Sequence, residues 1–301
     1  MTEKRTDVLL WVVLGGAALL LFAISLVALA VYSGDNSGPT SMFGGSQIAV
    51  LEVEGIIFDA KEFVEQLKTY GRSAGVKAVV LRLNSPGGGV AASQEMYEAL
   101  KQFRAQTGKK VTVSMASVAA SGAYYLACAS DKIFANPGSV TGSIGVIAEW
   151  YNFGDLLKWA KMQSIVFKSG EYKDSGSPTR PLTDAEKAYF QNLIDNMYSQ
   201  FVAAVSSGRK MEENVVRKLA DGRVFTGLEA KNNGLVDEIG TLQDAIADAA
   251  KQAGIRGEPR TVSPQKRKLS LLDFLLGDAR SVLPLNPDHS ESHIRFQYLW
   301  R

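Results

Sequence analysis

The sequence predicts an α/β protein with a mainly parallel sheet, preceded by one N-terminal transmembrane helix. Apolar runs rich in β-branched residues alternate with longer helical patterns, which is the rhythm of parallel βαβ units. Three strand ends run into small, glycine- or serine-rich sequence, the kind of carboxyl end at which parallel sheets bind ligands. At the start of the chain, 25 consecutive residues from Val8 to Tyr32 carry no charge.

Residues 1–7 hold Lys4 and Arg5. Residues 8–32, at about 1.5 Å per residue in a helix, exceed the ~30 Å hydrocarbon core and can span it with some tilt. Ala28-Leu29-Ala30 matches the small-x-small pattern of a cleaved signal peptide, but the apolar region is longer than the ~7–15 residues of a signal core, which favours a retained anchor. No Lys or Arg follows the span until Lys61. The positive-inside tendency therefore puts the N-terminus in the cytoplasm and the body beyond the cytoplasmic (inner) membrane, as a single-pass protein. Residues 33–47, rich in Gly and Ser, read as a flexible tether.

The folded domain is expected over residues 48–262. Its first strands are IAVLEVEG from Ile48, VKAVVLRLNS from Val76 and KKVTVSMAS from Lys109, each followed by a helical pattern: Ala60 to Tyr70, Val90 to Thr107 and Ser121 to Ala129. Short strands are expected at Lys132–Ala135 and Ser164–Phe167, and helices at Asn152–Lys161 and Leu182–Ser207. The second of these helices opens on a capping box, Thr183 to Glu186, after Pro181. The stretch from Gly222 to Gly240 suggests strand, helix, glycine cap and return strand.

Composition narrows the chemistry. With 33 basic and 31 acidic side chains and 46% hydrophobic residues, the chain has the balance of a globular protein rather than a disordered or nucleic-acid-binding one. Its only cysteine, Cys128, rules out an internal disulfide and any cysteine-rich metal site, and lies in an apolar run that suggests a buried structural thiol. The only histidines, His289 and His293, fall in a polar tail, so a Ser-His-Asp triad would need a base from there. No third metal ligand accompanies them.

Ser121 follows Ala119-Ala120 and precedes Gly122-Ala123 at the start of a helical segment. Such a serine is either a helix N-cap or a nucleophile beside free backbone N–H groups that can hold an oxyanion. The loop Asn84-Ser-Pro-Gly-Gly-Gly89 lacks the Gly-Lys-Ser/Thr of a phosphate loop, yet its glycines can turn N–H groups toward a ligand oxygen. With histidine set aside, lysine is the natural base for Ser121. A lysine acts so only when neutral, which requires its pKa to fall from about 10.4 to about 7 or 8 through burial. Lys168 and Lys173, in VFKSGEYKDSGSP, are both candidates, and composition does not choose between them.

Together, LRLNSPGGG from Leu81, ASVAASGAYYLACASDKIFANPGSVTGSIGVI from Ala116, KSGEYKD from Lys168 and GRVFTGLEAKNNGLVDEIG from Gly222 resemble the signal peptide peptidase A family in content and order. That family comprises membrane-bound relatives of the Clp protease fold within the crotonase-like superfamily. The resemblance covers about Ile48 to Gln252. It implies a repeated ββα core and a serine peptidase with Ser121 as nucleophile, Lys173 as general base, Gly88 and Gly122 as oxyanion donors, and Ser143 as the hydroxyl that orients the lysine. It further implies no metal or cofactor, remnant signal peptides and other apolar peptides as substrates, contact with the lipid bilayer, no nucleic acid, and a ring-shaped homo-oligomer. The competing readings are a crotonase-like acyl-CoA enzyme and a non-catalytic oligomeric membrane scaffold.

Residues 263–301 form a tail. LSLLDFLLGDARSVL has helical apolar spacing behind a basic cluster, suited to a membrane surface, a neighbouring subunit or a loosely ordered extension. The end of the tail is expected within reach of an active site, where the enzyme itself can trim it.

Overall fold

A computed structural model describes residues 46–264 and 295–300, with Leu19, Phe22 and Ser25 as isolated positions. The chain divides into two units, Met1–Gly45 and Ser46–Arg301, and the described fold belongs to the second. The expected anchor over residues 8–32, apart from those three isolated positions, His289 and His293, and the apolar segment of the tail lie outside the described residues. Among the described residues no helix is long and apolar enough to cross a membrane.

The central sheet contains β1 (Gln47–Glu54), β2 (Val76–Ser85), β4 (Lys110–Ala120), β5 (Lys132–Ala135), β9 (Glu238–Ile239) and β10 (Arg260–Val262), in the order β10-β1-β2-β4-β5-β9. All of these pairings are parallel. Side chains alternate across β1 and β2 with period two. Leu51, Val53, Val79, Leu81 and Leu83 join the larger core, while Ile48, Val50, Ala78 and Val80 face the opposite side. On that second side lies α8 (Leu242–Gln252), whose Ala245, Ile246, Ala249 and Ala250 form its buried stripe. The larger core is covered by α1 (Lys61–Arg72) and α2 (Val90–Thr107). Phe63, Leu67 and Tyr70 recur at helical spacing along α1, so one face of that helix meets the core.

Strand β4 changes partners as it runs. Residues 112–115 pair with β5, and Val118, Ala119 and Ala120 pair in parallel with Val140, Thr141 and Gly142 of β6 (Val140–Gly142). Strand β6 in turn pairs with β8 (Val224–Thr226). The short helix α3 (Gly122–Ala127) begins directly after β4. Helices α4 (Gly154–Trp159), α5 (Asp184–Arg209), α6 (Glu213–Leu219) and α7 (Gly227–Asn232) complete the body. The capping box at the head of α5 forms as expected, with Thr183 accepting from the Glu186 N–H and Glu186 from the Thr183 N–H.

One expectation changes. Ser164–Phe167 is not a strand: it has no partner strand among the described residues, and Ile165, Val166 and Phe167 are exposed. The end of the tail adds an element that no strand expectation covered. Its residues Arg295–Leu299 form β11, the middle strand of a second sheet between β3 (Gly87–Gly89) and β7 (Ile147–Glu149).

Candidate active site

Ser121 stands at the carboxyl end of β4 with φ +54° and ψ −116°, a region that residues with a Cβ rarely enter. Its side chain makes no capping hydrogen bond, so the helix-cap explanation of this serine fails. The backbone conformation is fixed from both sides: the Ser121 N–H donates to Gly142 O at 2.8 Å, and its carbonyl accepts from Tyr125 N–H at 2.8 Å. Strain of this kind persists only where the surroundings enforce it. Here the enforcing elements are β6 and the first turn of α3.

Ser143 follows β6 as Ser121 follows β4. Because Ala120 pairs with Gly142, the two serines occupy equivalent positions on neighbouring strands. Ser143 also has a positive φ, +51°, and its N–H donates to Arg223 O at 2.9 Å. Both serines are buried. Neither hydroxyl has a hydrogen-bond partner among the described residues.

Gly122 directly follows Ser121, and the backbone of Gly88 lies close to it. On β3, Gly89 N–H donates to Ile57 O at 2.8 Å and Ile57 N–H to Gly87 O at 2.9 Å, so the alternate N–H, that of Gly88, points to the opposite edge. A Cβ on Gly122 would lie 3.2 Å from Gly88 N and would overlap the Ser93 hydroxyl; a Cβ on Gly88 would overlap the Ile57 carbonyl. Glycine at both positions thus permits the backbones of β3 and of the first turn of α3 to approach each other closely beside Ser121.

The two candidate lysines differ. Lys168 Nζ donates to Asp174 Oδ1 at 2.6 Å and to Glu171 O at 2.8 Å, contacts that commit its amine to this turn. Lys173, in a single 3-10 turn over Glu171–Asp174, is exposed and has no side-chain hydrogen bond among the described residues. It is not joined to Ser121 or Ser143 within the chain. Its neighbours are anchored: Asp174 accepts from Arg180 Nε at 3.1 Å, and Arg180 reaches Glu186 at 2.6 and 2.8 Å. Hydrogen bonds from Arg180 and then Lys168 hold the Asp174 carboxyl down to about 2, and Arg180 likewise lowers that of Glu186. The segment leading to Lys173 is unusually apolar for a surface, with Trp159 82% and Phe167 96% exposed.

Other nucleophiles and sites are less suitable. Cys128 is buried, and burial pushes its thiol up to about 12. Among the described residues no cluster of His, Cys, Asp and Glu could hold a metal ion. A cleft of about 580 Å³ lies beyond Ile57, lined by Glu52, Glu54 and Asp59, and does not include Ser121. The signal that sequence reasoning missed was Arg180, whose role in fixing the turn before α5 depends on Asp174 and Glu186 folding back onto it.

Two family descriptions match the chain: "Peptidase family S49" over residues 103–256 and "Clp protease" over residues 45–140. A protease homologue of Synechocystis sp. is 42% identical over 211 residues, covering 69% of this chain and 75% of that one. Protease 4 of Salmonella typhi is 33% identical over 267 residues, covering 83% of this chain and 42% of that one. The chloroplastic serine protease SPPA of Arabidopsis thaliana is 32% identical over 269 residues, covering 84% and 39% respectively. The chain thus spans less than half the length of the last two relatives.

Proposed function

Because the chain belongs to peptidase family S49, in its signal peptide peptidase A branch, and is a serine peptidase, we propose that Ser121 is its nucleophile and Lys173 its general base. In this reading the Lys173 amine takes the Ser121 proton as Oγ attacks a peptide carbonyl. The Gly88 and Gly122 N–H groups receive the oxyanion, and Lys173 returns the proton to the leaving amine. Water then hydrolyses the acyl-serine. Ser143, beside Ser121 at the matching strand end, orients the lysine. The observation that carries the assignment is the backbone of Ser121, held at φ +54° with its hydroxyl uncommitted.

An exposed lysine is a poor base at neutral pH, because water stabilises its charged form. The apolar surface around Trp159, Ile165 and Phe167 supports a homo-oligomer in which a neighbouring copy covers this segment. Lys173 of one copy then meets Ser121 of the next and is desolvated in the process. The proposed setting is a single-pass anchor over Val8–Tyr32 with the domain on the extracytoplasmic side, and the proposed substrates are apolar peptides, including signal peptides left in the bilayer.

The test is cleavage of apolar signal-peptide sequences by the detergent-solubilised full chain. Ser121→Ala and Lys173→Arg should both abolish turnover, since a guanidinium cannot serve as the base. Turnover that persists in Lys173→Arg would remove Lys173 from the mechanism.

A further inference from the structure

The cleft of about 580 Å³ beyond Ile57 lies where β10 ends. Strand β10 runs parallel to β1 and pairs with it only at Gln47, Ile48 and Ala49, whereas β1 continues to Glu54. The two residues that follow β10, Ser263 and Pro264, are part of the cleft wall. The course of β10 thus directs the next residues of the chain along β1 and into the cleft. Pro264 is compatible with that course, because an edge strand tolerates the loss of one N–H.

The cleft combines negative charge with apolar surface. Glu52 and Glu54 of β1, Asp59 of the following loop and Glu62 of the first turn of α1 bring carboxylates to it, and no lysine or arginine lines it among the described residues. Asp59 accepts from the Lys61 N–H, Glu62 accepts from the Gln66 amide, and Arg82 on β2 interacts with Glu52. In the same wall Ile56 and Phe58 are 45% and 56% exposed. This composition fits a segment with several consecutive cations followed by large apolar residues. The chain supplies one at that point: Lys266, Arg267 and Lys268 stand two residues beyond Pro264, and Leu269, Leu271 and Leu272 come next.

We propose that the cleft is the docking site of residues 265–269 of the same chain, which prolong β10 along β1 and set Lys266–Lys268 among these carboxylates. In the register of β10, residues Gln265, Lys266 and Arg267 come opposite Glu52, Val53 and Glu54. Lys266 then shares the sheet face of Val53, which is the face covered by α1 with Glu62, and Arg267 shares that of Glu54. Leu269 meets Ile56 and Phe58. Exposed ion pairs contribute little singly, so main-chain pairing and apolar contact hold the segment while the charges select it. The same wall is also the back of β3: Ile57 N–H donates to Gly87 O at 2.9 Å, and Ile57 O accepts from Gly89 N–H at 2.8 Å. A segment seated on Ile56 and Phe58 therefore steadies β3 from behind.

Carbodiimide cross-linking of the detergent-solubilised full chain tests this, with the links mapped by mass spectrometry in an equal mixture of unlabelled and isotope-labelled chains. Amide links are expected from Lys266 or Lys268 to Glu52, Glu54, Asp59 or Glu62, within one chain. The triple variant Lys266→Glu, Arg267→Glu, Lys268→Glu should lose them. Adding Glu54→Lys and Glu62→Lys to that variant should bring links between the same positions back. The Ile57 and Gly89 amide hydrogens should exchange about tenfold faster in the triple variant than in wild type. Wild type without links into the cleft would overturn the docking, as would a charge swap that restores none. Links found only between unlabelled and labelled chains would overturn it too and assign the cleft to a second copy. Unchanged exchange in the triple variant would overturn the bracing of β3.

Discussion

The Ser121 N–H donates to the Gly142 carbonyl at 2.8 Å, which sets Ser121 and Ser143 side by side at the ends of two parallel strands, both with left-handed φ. Two non-glycine residues in that state on adjacent strands mark the place where the fold stores backbone strain.

Releasing the strain should stabilise the protein. A sparsely populated dihedral costs on the order of 1–3 kcal/mol, while glycine gives back roughly 0.5–1 kcal/mol through its freer unfolded state. Ser121→Gly is therefore expected to exceed Ser121→Ala in stability by about 1 kcal/mol, with both variants inactive. Thermal unfolding of the two proteins checks this; equal melting temperatures would mean that the conformation is unstrained.

Gly122→Ala should remove activity by a different route. The new methyl overlaps Ser93 Oγ and lies 3.2 Å from Gly88 N, so the two N–H groups can no longer converge. Loss of about 10²-fold or more in kcat is expected, the size seen when one oxyanion donor is removed. Adding Ser93→Ala should restore melting temperature but not kcat, because the approach to Gly88 remains.

Much of this was legible in the chain itself. The strand and helix order follows from β-branched runs, helical periodicity and the Thr183–Glu186 box, all local signals. Ser121, Gly88 and Gly122 stood out by motif, but the dihedral of Ser121 is imposed by β6, and no local pattern encodes it. Ser164–Phe167 shows the converse, since β-propensity produces no strand without an edge to pair with. The register of β11 against β3 joins residues some two hundred positions apart in sequence, and alternation within RFQYL does not name its partner.

The Arg180 cluster predicts an acid dependence. The Asp174 carboxyl is held at about 2, below its ordinary value of about 4, by hydrogen bonds from Arg180 and Lys168. A carboxyl with a depressed folded value contributes stability above its unfolded value and loses it as pH falls toward the folded one. Arg180→Gln should thus melt lower than wild type at neutral pH, with the gap narrowing as pH falls from about 4 to about 2. A gap that stays constant across that window would exclude the ion pairs as its source.

If neighbouring copies supply Ser121 and Lys173 to one site, two inactive variants should rescue each other. Co-expressed Ser121→Ala and Lys173→Ala chains are expected to regain part of the wild-type peptidase activity. Each variant alone should stay inactive. No recovery in verified mixed oligomers would place both residues of the dyad on a single chain.

The most direct measurement of the Ser121–Lys173 assignment is peptide mapping of the full chain after reaction with a fluorophosphonate. The adduct is expected on Ser121, to be lost in Ser121→Ala, and to be lost in Lys173→Ala although that variant retains the serine. An adduct on another serine, or undiminished labelling of Ser121 in Lys173→Ala, would contradict it.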